Sequence, residues 1–204
     1  MTTERYRLSF TTGGLFVREA PAIVERYLWT ADWVGTRSDV RAENLLQLRT
    51  AAASTRISKE LIARLQELDR DELEELRDAN VRDQSYLLWV AACRRYVFLR
   101  EFASEVLREH YLARRTQLTV SDYDAFFNSK ALWHEELEGL ADSTQKKLKQ
   151  NLFRMLREAG LVTPQHLIQA ALLSPRIAQL IARRDRRDLF VFPVSDQEIQ
   201  RWLS

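Results

Sequence analysis

The chain has 204 residues, 46% of them hydrophobic, and a formal net charge of only +2, so it can bury a substantial core and is too evenly charged for bulk attraction to nucleic acid. Gly and Pro are scarce, at five and four, which points to a mostly helical fold. A single cysteine, Cys93, in the apolar run YLLWVAAC, excludes an internal disulfide and implies a buried thiol in a cytoplasmic setting.

The N-terminal MTTERYRLSF lacks an apolar stretch of signal-peptide length. Within it, Tyr6–Phe10 reads as a short strand or extended arm, followed by a turn over Thr11–Gly14. Helical spacing runs from Leu15 to Trp29, with Pro21 in a first turn or at a break, and Tyr27, Trp29 and Trp33 read as core aromatics. Ser38 is the expected cap of a helix reaching Leu48, and RTAAAST the expected connector to a helix starting at Ser54 or Thr55. In that helix Ile57, Leu61, Leu65 and Leu68 form the buried stripe, with Arg56, Lys59 and Arg64 off it. From Arg37 to Arg64 six basic residues (Arg37, Arg41, Arg49, Arg56, Lys59 and Arg64) stand against three acids. The next segment reverses sign: QELDRDELEELRDAN holds seven acids and two arginines, a surface that repels DNA or meets a basic protein.

Val81–Arg115 reads as one long helix with a wide apolar face through Leu87, Leu88, Val90, Ala91, Val97, Phe98, Phe102 and Val106. Its most apolar part, Tyr86–Leu99, is interrupted by Arg94 and Arg95 and is shorter than the roughly 20 residues of a membrane span. Downstream, Ser121 is placed to cap SDYDAFFNSKAL, and WHEELEGL fits a second short helix. Then comes STQKKLKQNLFRMLREA, Ser143–Ala159, with Ser143 as cap and Gly160 as terminator. Leu148, Leu152, Met155, Leu156 and Ala159 fall on one stripe, leaving Lys146, Lys147, Gln150, Arg154 and Arg157 on the opposite side. Five Lys/Arg stand against the lone Glu158 in this stretch, so the charge is concentrated on a helix able to touch phosphates. Two short helices followed by a longer basic one is the order of a helix-turn-helix module.

Thr163-Pro164 and Ser174-Pro175 read as starts of further short helices, LFVFPV as a strand, and Ser195 as the cap of a last turn. Pairing of Leu189–Phe192 with Leu161-Val162 makes a small wing. No phosphate loop, dinucleotide fingerprint, nucleophile elbow or zincin motif occurs. His110, His134 and His166 share no metal-ligand spacing with Cys93, and Glu135, Glu136 and Glu138 read as solvated surface. The expectation is a protein without catalysis, cofactor, metal or small-molecule substrate.

The N-terminal LSFTTGGLFVREA, the central NLLQLRTAAASTRISKELIARLQEL, DYDAFF, and TQKKLKQNLFRMLREAGLV followed by LFVFP resemble the BrxA proteins of BREX phage-defence operons, over nearly the whole chain. The resemblance implies a cytoplasmic, mostly helical accessory protein with helix-turn-helix or winged-helix character that binds double-stranded DNA, partners other BREX components and is neither the methyltransferase nor the ATPase. Lys146, Lys147, Lys149, Gln150 and Arg154 match the family's T-x-K-rich helix, and Arg49, Thr50, Arg56 and Lys59 its R-T…R-I segment. These nine are the expected DNA-binding residues. Lysines and arginines on phosphates do not select bases, so base reading falls to Gln150, Asn151 or a groove-facing arginine. The organisation expected is an N-terminal helical module (1–80), a bridging helix (81–115) and a C-terminal winged-helix-like module (116–204), with minor β structure. Two rival readings are a protein-interaction scaffold, docked through the acidic segment and the basic patches, and an RNA-binding helical bundle.

Overall fold

In the computed structural model, which describes residues 5–204, the chain is mostly helical. The first segment is an extended arm without strand pairing: Tyr6 and Phe10 are buried while Arg5, Arg7 and Ser9 face solvent, the alternation of an extended backbone. Helix α1 (Ala20–Thr30) carries Pro21 in its first turn and ends at Ala31, which is left-handed. Tyr27 stacks on Trp33 at 3.7 Å, but Trp29 stands exposed, so only two of the three aromatics join the core. Helix α2 (Trp33–Ala42) begins before Ser38, because the Asp32 carboxylate accepts from the amides of Val34 and Gly35 at 2.8 Å each. It ends before Leu48, in a turn where Asn44 and Gln47 have positive φ. Helix α3 (Ala51–Leu65) also begins early: Thr50 accepts from the Ala53 amide at 3.2 Å, and the supposed connector RTAAAST supplies alanines, the best helix formers, to its first turn.

A reciprocal capping box of Asp69 and Glu72 opens helix α4 (Arg70–Asp78). Helix α5 (Val81–Arg95) is buried from Ser85 through Cys93, which is why its sequence is apolar all round. The continuous helix expected over Val81–Arg115 is interrupted at Tyr96, which is extended (φ −118°, ψ 95°). The chain resumes as α6 (Val97–Phe102), a π-helical turn (Ala103–Arg108) and α7 (Glu109–Leu112). An unbroken helix would place Arg94 and Phe98, four apart, on one face. Here they serve different neighbours: Arg94 pairs with Glu72 at 2.6 Å and Asp188 at 2.7 Å, and Phe98 packs on Tyr6, Phe126 and Phe127.

Helix α8 (Val120–Ala131) is capped by Thr119 in a box with Asp122, not by Ser121. A single turn, α9 (Glu135–Glu138), leads to α10 (Asp142–Glu158), which starts at Ala141 without a side-chain cap. Ser143 thus lies inside the helix, and Asp142 compensates the dipole at its start. Gly160, with φ 67°, ends it as expected. Thr163-Pro164 starts no helix. Instead Leu161–Gln169 doubles back, bridging Val162 to Ile168, while Leu167 bridges Gln117. The capped helices α11 (Pro175–Arg184) and α12 (Asp196–Leu203) form at Ser174 and Ser195 as expected. Between them Arg186–Val191 is a 3₁₀ turn, so neither the LFVFPV strand nor its pairing with Leu161-Val162 exists. Asp188 is held by Arg94, and the Val191 carbonyl accepts the Trp89 indole N–H at 3.0 Å, which ties the segment to α5.

The arm and the loop after it lie between α3 and α10. Arg64 is 1% exposed rather than on the surface: it donates to Glu60 at 2.7 Å and to the carbonyls of Gly14 at 2.7 Å and Thr12 at 3.4 Å. From α10, Glu158 accepts the Leu15 amide, and Asn151 donates to the Phe10 carbonyl at 3.0 Å. A Cβ at position 14 would overlap the Glu158 carboxylate, so any larger residue there displaces that side chain from the Leu15 amide. Among the described residues no helix is long and apolar enough to cross a membrane.

Arg64→Ala leaves the Glu60 carboxylate, bonded to Tyr96, buried without its cation. We expect a loss of about 3–5 kcal/mol, measured by urea unfolding, with part of the loss recovered in the double variant Arg64→Met, Glu60→Gln. A loss below about 1 kcal/mol for the single change would mean that other contacts hold the loop.

Candidate nucleic-acid interface

Helix α10 has two sharply different sides. Leu148, Leu152, Met155, Leu156 and Ala159 are buried, as the spacing requires. Phe153 is buried too, although it lies off that stripe, because His166 of the hairpin stacks on it at 4.7 Å. Lys146, Lys147, Gln150, Arg154 and Arg157 are exposed. They differ in what they have left to offer. Arg154 pairs with Glu158 at 2.7 Å, and Lys149, half-buried, pairs with Asp124 at 2.8 Å while lying over the Tyr123 ring. Lys146, Lys147 and Arg157 have no carboxylate within ion-pair distance among the described residues. Asn151 does not read bases: it is 4% exposed and its amide nitrogen donates to Phe10. Gln150 remains the exposed amide on this face.

The helix is framed by β-type pairing. The segment Thr116–Leu118 precedes α8, and the hairpin Leu161–Gln169 follows α10. The Ile168 amide donates to the Thr116 carbonyl at 2.8 Å and the Leu118 amide to His166 at 2.9 Å, while Thr163 and Leu167 close the hairpin at 2.9 Å. In the tip, Thr163–His166, Pro164 and Gln165 are exposed while His166 packs back on Phe153 of the basic helix. Val162 pairs with Ile168, not with the Leu189–Phe192 segment expected from composition. The usable signal lay in Thr163-Pro164-Gln165-His166, a turn tetrapeptide between apolar pairs.

The other four expected residues run from just before the N-cap of α3 to its middle. Thr50 is its N-cap, and Arg49, Arg56 and Lys59 are exposed without ion pairs among the described residues. The loop between the arm and α1 separates them from α10, and no hydrogen bond or ion pair joins the two sets among the described residues. The contact nearest to a link is deep, between the Arg64 guanidinium and the Met155 sulfur at 3.6 Å.

The acidic segment is less negative than it reads. Asp71 pairs with Arg183, Glu72 with Arg94, Glu74 with Arg70, Glu75 with Arg176, and Asp78 with Arg77. Two of these arginines, Arg176 and Arg183, come from α11, so charge excess in one part of the sequence is answered from another. Of the arginine cluster after α11 begins, Arg183 is thereby used, Arg184 donates to the Glu67 carbonyl, and Arg187 pairs with Asp185 at 2.8 Å. Among the described residues no group of three His, Cys, Asp or Glu is placed to hold a metal ion.

Comparison with known families matches the BrxA family model to residues 4–185. The chain belongs to the BrxA family. Relatives include a BREX protein BrxA of Escherichia coli O9:H4 (strain HS), 27% identical over 179 residues, covering 87% of this chain and 84% of that protein. Another, from Bacillus cereus (strain H3081.97), is 29% identical over 124 residues, covering 61% and 62%. In fold, the chain is similar to the crystal structure of an uncharacterized protein from Magnetospirillum magneticum, with a TM-score of 0.78 at 21% identity, covering 92% of this chain and 97% of that one. The BrxA family match spans both basic helices and the hairpin.

Asp122 fixes the start of α8 and with it the extended segment Thr116–Leu118 beside the hairpin. Burial alone would raise its pKa, but hydrogen bonds from the Thr119 amide and hydroxyl, with the His110 ring nitrogen 3.0 Å away, outweigh burial and lower it from 3.8 to about 2. A depressed carboxylate stabilises the fold above its unfolded pKa and ceases to do so as pH falls through the folded value. Asp122→Asn should therefore destabilise by about 1 kcal/mol near neutrality and remove part of the stability loss seen between pH 4 and pH 2. An unchanged acid unfolding profile would show that Asp122 does not carry it.

Proposed function

We propose that the chain binds double-stranded DNA, without catalysing a reaction, as a cytoplasmic accessory component of a BREX-type phage-defence system. Membership of the BrxA family and the names of its relatives support the BREX assignment. The observation that carries duplex binding is the exposed row Lys146, Lys147, Gln150 and Arg157 on α10, the last and longest of three helices (α8, the single turn α9 and α10) followed by a hairpin, an order similar to that of winged helix-turn-helix modules. In this reading α10 lies against the major groove, Lys146, Lys147 and Arg157 contact phosphates, and the Thr163–His166 tip reaches the neighbouring groove. Lys149 and Arg154, tied to Asp124 and Glu158, act as secondary contacts. Gln150 is the exposed amide of α10 placed to touch a base edge, so sequence preference is weak. Arg49, Arg56 and Lys59 form a second contact region at and along α3, with Thr50 holding the helix end. Other BREX components are the protein partners.

The scaffold reading draws on the acidic segment and the basic patches together. Five carboxylates of that segment are paired with arginines of α4, α5 and α11, which weakens its attraction for a basic partner.

Two outcomes are expected. Duplex affinity should fall steeply between about 50 and 200 mM salt, with a log–log slope of about −0.9 per phosphate contact. The double variant Lys146→Glu, Lys147→Glu should lose about 10-fold or more in affinity and lower the slope by about two units, at unchanged helical content. Arg82→Glu, Arg201→Glu, an equal change of net charge at exposed residues of α5 and α12, is the control. Equal losses in both double variants would mean that binding follows net charge, and no loss in either would remove α10 from the interface.

A further inference from the structure

Helix α2 divides its charges between two neighbours. Asp39 and Glu43, four residues apart, both pair with Arg26 of α1. The other side of α2 carries Arg37, Ser38 and Arg41, exposed, with no ion pair to either arginine among the described residues. Ser38, Arg41 and Ala42 line one wall of a groove of about 450 Å³ whose other wall is Ala51 and Ser54 of α3. This groove therefore meets the N-terminal end of a 15-residue helix, where partial positive charge accumulates. The Thr50 side chain occupies the Ala53 amide, and the amides of Ala51 and Ala52 precede the first intrahelical bond and have no acceptor in the protein.

A second, independent observation comes from Ser54. It is 5% exposed and its hydroxyl has no hydrogen-bond partner, an arrangement that folded proteins rarely leave without a reason. Two backbone amides and a guanidinium that can only donate, hydroxyls free to donate beside them and a helix dipole behind them together call for a ligand with several acceptor oxygens and negative charge.

We propose that the α2–α3 groove is a phosphoryl-binding subsite. Arg41 supplies charge, Ser38 and Ser54 supply hydroxyl donors, and the Ala51 and Ala52 amides take the remaining oxygens. A phosphate of the DNA backbone is the occupant that fits the neighbouring Arg49, Arg56 and Lys59, and to that extent the inference rests on the duplex-binding reading. A free phosphate would use the same donors.

The test follows the amide resonances of Ala51 and Ala52 by NMR in the full chain, titrated separately with an unrelated duplex and with inorganic phosphate, in the native protein and in Arg41→Gln and Ser54→Ala. Both amides should shift with duplex, and Arg41→Gln should weaken duplex binding about 3–10-fold. Ser54→Ala should respond more weakly to either titrant while its melting temperature holds or rises, since it removes an unpaired hydroxyl. If duplex binds with shifts confined to α10 and with native affinity in Arg41→Gln, the subsite is refuted and the duplex reading stands. If no duplex binds, that reading fails. The subsite then survives only on phosphate-induced shifts of Ala51 and Ala52 that disappear in Arg41→Gln; without them it falls as well.

Discussion

The guanidinium of Arg64 is the point through which four parts of the chain are fixed at once. It neutralises Glu60 on its own helix, holds the carbonyls of Thr12 and Gly14, lies beside the Tyr96 ring at the break between α5 and α6, and meets Met155 of α10. A buried charge is tolerable only when its donors are met and its partner is near, and here the partners are the elements that set the distance between the two basic helices. The loop they hold also anchors to α10 through Glu158 and Asn151. The separation of α3 from α10 is thus a property of the core, and any surface that uses both helices inherits its geometry from Arg64.

Charge is sorted by the fold in a way composition conceals. The acidic excess around α4 is met largely by arginines from α5 and α11, and the acids of α2 by Arg26. Among the cations left uncommitted are Lys146, Lys147 and Arg157 on α10, Arg49, Arg56 and Lys59 at and along α3, and Arg37 and Arg41 on α2. A near-neutral total is therefore compatible with local positive surfaces, because most of the negative charge is spent internally. Such pairs on the surface contribute little stability individually. Their effect is to decide which arginines remain available to a partner.

Much of this was readable residue by residue. The buried stripe and terminator of α10, the caps at Ser174 and Ser195, and the burial of Cys93 follow from spacing and local chemistry, and the structure reproduces them. Errors arose where long-range contacts overruled local preference. Arg64 looks like surface because its partners are carbonyls fifty residues away, which no periodicity reveals. Asn151 looks like a base reader until the arm passes beneath it. Leu189–Phe192 has strand composition, but Asp188 and Val191 are claimed by Arg94 and Trp89. Helix starts were displaced for a simpler reason: Asp32 and Thr50 are good caps several residues ahead of the serines that seemed to fit, and a helix begins at the first cap the chain can use. At the interface, the exposed residues of α10 were legible, whereas the pairing that removes Lys149 and Arg154 from full availability required the positions of Asp124 and Glu158.

The hydrogen bond from Trp89 to Val191 spans 102 residues of sequence, and its acceptor lies beyond the segment, 4–185, that matches the family. Resemblance and structural closure thus end at different places. The centre of the molecule, α5, stays open on one side until Asp188 and Val191 arrive. During synthesis, which proceeds from the N-terminus at about 5–20 residues per second, the most apolar helix of the chain must wait several seconds, with Arg94 short of one carboxylate and the indole N–H of Trp89 unanswered, before the last piece of its wall leaves the ribosome. The nascent chain is accordingly exposed to aggregation and to chaperones for longer than its small size would lead one to expect.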